Sequence, residues 1–203
     1  MSKKLIIIGA GGHGRVVADI AAKSGYTEIA FLDDNTSESH SAYPVIGVSG
    51  DAEKYPEHDF FVAIGASDVR KRLQDKLSEN GLRIATLIHP NAVIGENVTI
   101  GDGTAIMACA VVNPNTTIGK GCIVNTCASV DHDSSLGDFS HVSAGSHLAG
   151  TVYIGSRTFI GAGTTIINNI TICDDVLIGA GTVVIRDINE SGTYIGVPAR
   201  KLK

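Results

Sequence analysis

From position 88 onward an aliphatic residue returns every six positions: Ile88, Ile94, Ile100, Ile106, Val112, Ile118, Val124, Val130, Leu136, Val142, Leu148, Ile154, Ile160, Ile166, Ile172, Ile178 and Val184. Four residues beyond most of these stands a small or β-branched residue, such as Thr104, Ala110, Thr116, Ala128, Ser140 or Thr164. Glycine often follows the aliphatic directly, as at Gly95, Gly101, Gly119, Gly137, Gly155, Gly161 and Gly179. A six-residue period sustained this long predicts a parallel β-helix over residues 87–203.

Residues 1–86 follow another pattern. The β-rich run 5–8 breaks at a glycine cluster, after which Val16, Val17, Ile20 and Ala21 recur at helical spacing up to Gly25. Residues 29–32 form a second strand ending at Asp33-Asp34, and 60–64 a later one ending at Gly65. Ser67-Asp68 is positioned to cap a charged helix running to about Glu79. The order β-α-β, β-α-β predicts a small Rossmann-like α/β domain with a parallel sheet.

Composition narrows the partners. The net charge of -5, with no Lys/Arg-rich run, argues against nucleic acid. No apolar stretch approaches the roughly 20 residues of a membrane span. The opening MSKKLIIIGAGGHG has too short an apolar run for a signal peptide, so a cytoplasmic location is expected. Cys109, Cys122, Cys127 and Cys173 show no CxxC spacing, and free thiols are expected.

The glycines fit G-x-G-x-x-G at Gly9, Gly11 and Gly14, with Asp33 following the second strand. Such glycines let backbone approach a phosphate, and the following helix N-terminus offers free N–H groups and partial positive charge. The pattern leaves the nucleotide open, because an NAD ribose and a sugar-nucleotide uridine both suit a carboxylate at this place. The domain is shorter than a complete dinucleotide fold requires.

The repeat domain resembles the hexapeptide-repeat acyltransferases, and "YIGVPARKL" at 194–202 resembles their usual exit from the helix. The whole chain resembles the sugar-modifying subgroup that includes the PglD-type UDP-4-amino-sugar N-acetyltransferases and NeuD-type sialic acid O-acetyltransferases. "GAGGHG", "AFLDDN", "FVAIG", "HPNAVIG" and "VDHDSSLGDFSHVSAG" carry the likeness. The resemblance implies a left-handed β-helix of triangular section, three hexapeptides per coil, in a homotrimer binding acetyl-CoA between subunits, without a metal.

With eighteen residues per coil, residues eighteen apart stack at about 4.8 Å. The residue before each aliphatic then points outward at mid-face, and the second residue after it lies at a corner. His141 falls in the outward column Ala105, Ile123, His141, Phe159, Leu177, an apolar stripe that predicts a subunit interface. His147 falls on another face, and His132 at a corner beneath Gly150. Within one subunit His132 and the His141 face are separated by something on the order of 15 Å, so they can share a substrate only across an interface.

Acetyl transfer from a thioester to an amine needs a base for the amine proton and donors for the oxyanion. His132 suits the first role, and the resemblance implies the family's catalytic histidine at this position. Asp133 stands where relatives carry an acid, and Asp131 is an equally near carboxylate. The Gly150 N–H is the oxyanion-donor candidate and would also contact the cofactor. By resemblance and by their place on the predicted interface, Asn125 and His141 would contact the substrate sugar or the acetyl group from the neighbouring subunit. The resemblance further implies Gly11, Gly12, His13 and Gly14 around a sugar-nucleotide pyrophosphate, and Asp33, Asp34, Ile64 and Gly65 around uridine. CoA would lie near Gly161, Ala162, Gly179 and Ala180.

The expected activity is acetyl-CoA-dependent N-acetylation of a nucleotide-linked 4-amino-4,6-dideoxy sugar, UDP favoured, by direct attack without an acyl-enzyme. The alternative is O-acetylation of sialic acid or another surface-polysaccharide sugar. A zinc hydratase of γ-carbonic-anhydrase type, an NAD-linked oxidoreductase and a non-catalytic scaffold fit less well.

Overall fold

The computed structural model describes residues 3–35 and 41–202. Contacts divide the chain into two compact units, Met1–Pro90 and Asn91–Lys203.

The first unit is a parallel sheet of β1 (Lys3–Ile8), β2 (Tyr26–Leu32), β3 (Val45–Gly47), β4 (Asp59–Val62) and β5 (Arg83–Ile84), in the order β3-β2-β1-β4-β5. Helix α1 (Gly12–Lys23) follows β1, and α2 (Ser67–Glu79) follows β4. Leu5, Ile6, Ile7 and Ile8 are all buried, which is why the central strand reads as a continuous apolar run. The strand order reverses at β1, so the connections leaving β1 and β4 diverge and open a crevice at the carboxyl ends. Neither Ser67 nor Asp68 caps α2. The N-cap is Ala66, without a side-chain bond, and Ser67 is already helical.

The second unit is built mostly from two-residue strands. Val111, Ser129, His147, Thr165 and Val183 pair in sequence up one face, and Thr117, Ser135, Tyr153 and Thr171 up the next. Ala105, Ile123, His141, Phe159 and Leu177 climb the third. Every step is eighteen residues, so a coil holds three hexapeptides, the architecture of the left-handed parallel β-helix. The repeating aliphatics line its axis; Val112, Val124, Val142 and Ile160 are 0% exposed. The small inward residues are often hydroxylic, and Thr104 Oγ1 and Ser146 Oγ each donate to a carbonyl 2.8 Å away, which satisfies them inside the prism. Cys122 takes the same position and is also fully buried.

Between strands the chain turns through a residue in the left-handed region at every sixth position. Asn97, Gly103, Cys109, Asn115, Gly121, Cys127 and Asp133 begin this series, with φ between 57 and 75 for the first six and 56 for Asp133. Asn, Asp and Gly reach this conformation most cheaply.

Candidate active site

At the carboxyl end of β1, the chain enters α1 through the glycine turn. A Cβ on Gly14 would run into the Gly9 carbonyl, so this glycine is required for helix and strand to approach. Gly11 has open space about it, and α1 has no acidic residue in its first turn to quench its partial positive charge. The Asp33 carboxylate is turned back onto this loop. It accepts the Ala10 N–H at 2.6 Å and the Asn35 N–H at 2.8 Å. Asp34 accepts the Ser49 N–H at 2.7 Å and its hydroxyl at 2.8 Å. Both carboxylates therefore shape the rim as well as lining a cleft of about 260 Å³ that includes Gly9, Ile64 and Arg72.

Two arginines at this end were not singled out from the sequence. Arg72 lines the cleft. Arg70 is 0% exposed, and its Nη1 donates to the carbonyls of Ile64 and Gly65, each at 2.8 Å. Burial, reinforced by the Arg70 charge, pushes the His13 imidazole down to about 4. At neutral pH His13 is therefore uncharged, and its buried Nε2 has no hydrogen-bond partner among the described residues. The available signal was position: both arginines lie in the first turns of the helix that follows Gly65.

In the second unit the expected residues fall into two groups. The first is at a corner. His132 Nδ1 meets Asp133 Oδ2 at 2.7 Å, and the Asp133 Oδ1 accepts the Asn115 side-chain amide at 3.2 Å. Asp131, which the sequence could not separate from Asp133, accepts the His132 backbone N–H at 2.8 Å and the Asn113 amide at 2.6 Å. Asp131 thus holds the main chain while Asp133 holds the ring. The hydrogen bond to Asp133, above all, raises the His132 pKa above the ordinary histidine value; desolvation opposes it, and the charges of Asp131 and Asp133 add to the rise. With the Nδ1 proton committed to Asp133, the basic lone pair sits on Nε2. Gly150 lies against this ring, and its N–H donates to no group among the described residues.

The second group is on the third face. Asn125 Oδ1 accepts the Thr126 N–H at 2.7 Å, which orients the amide so that Nδ2 faces His141 Nε2 at 3.1 Å. The His141 ring stands edge-on to Phe159 with centroids 5.0 Å apart. The outward stripe is not open along its length, contrary to the expectation of four exposed apolar positions. Ala105 and Ile123 are buried within the chain, Phe159 is half-buried, and Leu177 is exposed. His147 stands apart, bonded to Ser129 Oγ at 2.9 Å.

The glycines expected along CoA have a different reason to be small. A Cβ on Gly161 would lie 2.6 Å from the Ala180 nitrogen, so coil stacking alone requires that glycine, whereas one on Gly179 would meet only the Ile195 side chain, at 2.7 Å from Cγ2. Ala162 and Ala180 are exposed. Among the described residues no three His, Cys, Asp or Glu side chains gather as a metal-binding group. No described helix is long and apolar enough to cross a membrane.

Residues 4–77 match the family described as PglD N-terminal domain, and 151–186 the bacterial transferase hexapeptide family. Over 112 residues the chain is 37% identical to the UDP-N-acetylbacillosamine N-acetyltransferase of Bacillus subtilis (strain 168), covering 52% of each; it spans about half the length of that curated relative. The acetyltransferase domain of PglB from Neisseria gonorrhoeae FA1090, in complex with acetyl coenzyme A, superposes with a TM-score of 0.96 at 41% identity, covering 100% of both chains. PerB from Caulobacter crescentus, in complex with CoA and GDP-perosamine, superposes with a TM-score of 0.94 at 38% identity, covering 98% of this chain and 97% of that one.

Proposed function

The chain belongs to the PglD-type family of hexapeptide-repeat acetyltransferases, and we infer that it moves the acetyl group of acetyl-CoA onto the amino group of a nucleotide-linked 4-amino-4,6-dideoxy sugar. The observation that carries this reading is His132: Nδ1 tied to Asp133, Nε2 left as the basic nitrogen, and beside it a Gly150 N–H that donates to no group among the described residues.

In the proposed reaction the sugar amine attacks the thioester carbonyl while His132 Nε2 takes the amine proton. The Gly150 N–H donates to the oxyanion of the tetrahedral intermediate. Collapse breaks the carbon–sulfur bond, and the His132 imidazolium returns its proton to the leaving CoA thiolate. Asp133 keeps the ring in the tautomer that makes Nε2 the base and stabilises the imidazolium. Asn125 and His141 act from the next subunit of a homotrimer, with the His141 ring and the fixed Asn125 amide contacting sugar or acetyl group.

The crevice at the end of β1 suits the nucleotide. Its pyrophosphate sits on the N–H groups of Gly11, Gly12 and Gly14, with neutral His13 alongside, and uridine lies among Asp33, Asp34, Ile64 and Gly65. CoA runs past Ala162 and Ala180, with Gly161 and Gly179 supplying backbone. The test is CoA release from acetyl-CoA across UDP-, dTDP- and GDP-linked amino sugars and CMP-sialic acid. A UDP-4-amino sugar is expected to turn over fastest. Turnover confined to sialic acid would replace N-acetylation by O-acetylation, and a GDP-amino sugar leading the panel would overturn the UDP assignment.

A further inference from the structure

The corner that follows Ile106 and Val124 holds a pair of thiols. Cys109 and Cys127 occupy the left-handed turn position in consecutive coils, with φ of 58 and 57, and both side chains are exposed. The strands on either side pair in register, Ile106 with Val124 and Val111 with Ser129, and the Cys127 N–H donates to the Ala108 carbonyl at 3.1 Å. The two cysteines are therefore stacked one strand spacing apart, about 4.8 Å, inside the Cα separation of roughly 4.4–6.8 Å that a disulfide spans.

Side chains stacked at this turn position reach one another in three pairs. The Asn97 amide donates to Asn115 Oδ1 at 3.2 Å, and the Asn115 amide to Asp133 Oδ1 at 3.2 Å. At the remaining corner Arg157 makes a bidentate contact with Asp175 at 2.7 and 2.6 Å. Cys109 and Cys127 occupy the same turn position in consecutive coils with like φ, so rotation about their Cα–Cβ bonds is all that separates their sulfurs from one another's reach. Above them the corner continues as Gly145, where a Cβ would meet nothing within 4 Å, so a small reagent has room to reach the Cys127 sulfur. The backbone does not ask for cysteine, since glycine or asparagine meets a positive φ more cheaply.

We propose that Cys109 and Cys127 form a dithiol site that exchanges with a low-molecular-weight disulfide and closes into an intrachain disulfide bridging two coils. One thiolate attacks the small disulfide, forming a mixed disulfide and releasing one small thiol. The second cysteine sulfur then attacks the protein-side sulfur, forming the Cys109–Cys127 bond and releasing the second small thiol. Two electrons pass from the dithiol to the small disulfide, and each released thiol carries one proton. Cys122 is sealed inside the prism and takes no part. The bridge ties the coil that carries Asn125 to the one before it.

The full chain is reduced, treated with oxidised glutathione, quenched by alkylation in denaturant, and measured by intact mass and tryptic mapping. The wild type is expected to lose two hydrogens per chain with no retained glutathione. Cleavage after Lys120, which lies between the two cysteines, then leaves peptides joined only through sulfur, and fragmentation distinguishes Cys127 from Cys122. Cys109→Ser and Cys127→Ser are each expected to retain one glutathione that does not resolve. Persistent glutathione on both cysteines of the wild type, a disulfide between chains, or no reaction under conditions that modify the single variants would each overturn the proposal. So would failure of both thiols to react in any variant.

Discussion

Gly150 lies so close to the His132 imidazole that a Cβ there would stand 2.6 Å from both Cε1 and Nε2 of the ring. Adding that one methyl leaves the Gly150 N–H and the prism core intact but drives the ring aside. Gly150→Ala is expected to lower kcat by about 10²-fold, the scale of a misplaced catalytic group. Far-ultraviolet circular dichroism should be unchanged, and steady-state turnover checks the rate; a wild-type rate would remove the contact from the mechanism.

Removing the imidazole should cost more in rate and nothing in cofactor affinity. His132→Ala is expected to lose roughly 10²–10⁴-fold in kcat, the range for a general base. Acetyl-CoA affinity, read by isothermal calorimetry, stays as in the wild type because His132 is an exposed corner residue with no part in the core.

The two flanking acids should separate by their effect on pH. His132 must be neutral to accept the amine proton, and its pKa is raised first by the hydrogen bond to Asp133, so kcat climbs as pH rises through that raised value. Asp133→Asn removes the larger cause and is expected to move the acid limb to lower pH while reducing the plateau rate. Asp131→Asn removes only a charge and moves the limb less. A pH–rate series on the three proteins measures both shifts, and an equal displacement would contradict the division of labour between the acids.

His13 predicts a stability that falls on acidification. The unfolded chain binds a proton there near pH 6.5 and the folded chain only near 4, so protons favour unfolding within that window. Between pH 7.5 and 5 the wild type is expected to lose about 2 kcal/mol more unfolding free energy than His13→Gln. Urea titrations at the two pH values give the difference directly.

The chain announced its second unit more openly than its first. A six-residue period is written into every coil, because each aliphatic points to one axis and each glycine after it must clear the next coil. Strands of two or three residues, such as β3 and β5, carry too few side chains to show a period. The corner position of His132 and its place beneath Gly150 followed from the register. Which acid meets the ring did not, since Asp131 and Asp133 flank it symmetrically in sequence; the left-handed φ of 56 at Asp133 distinguishes them in space. Arg70 was hidden because it lies in a helix rich in charge, where burial of one guanidinium leaves no mark on the pattern.

The eighteen-residue step gives the prism surface an address system. A side chain there is located by two coordinates, a corner or face and a height, and shifting its sequence position by eighteen changes only the height. Chemistry on such a surface is transposable: an acid, amide or thiol can be installed a coil higher or lower without renegotiating the interior. The glycine turn of the first unit has no such freedom, because the sheet reverses its order at one place only.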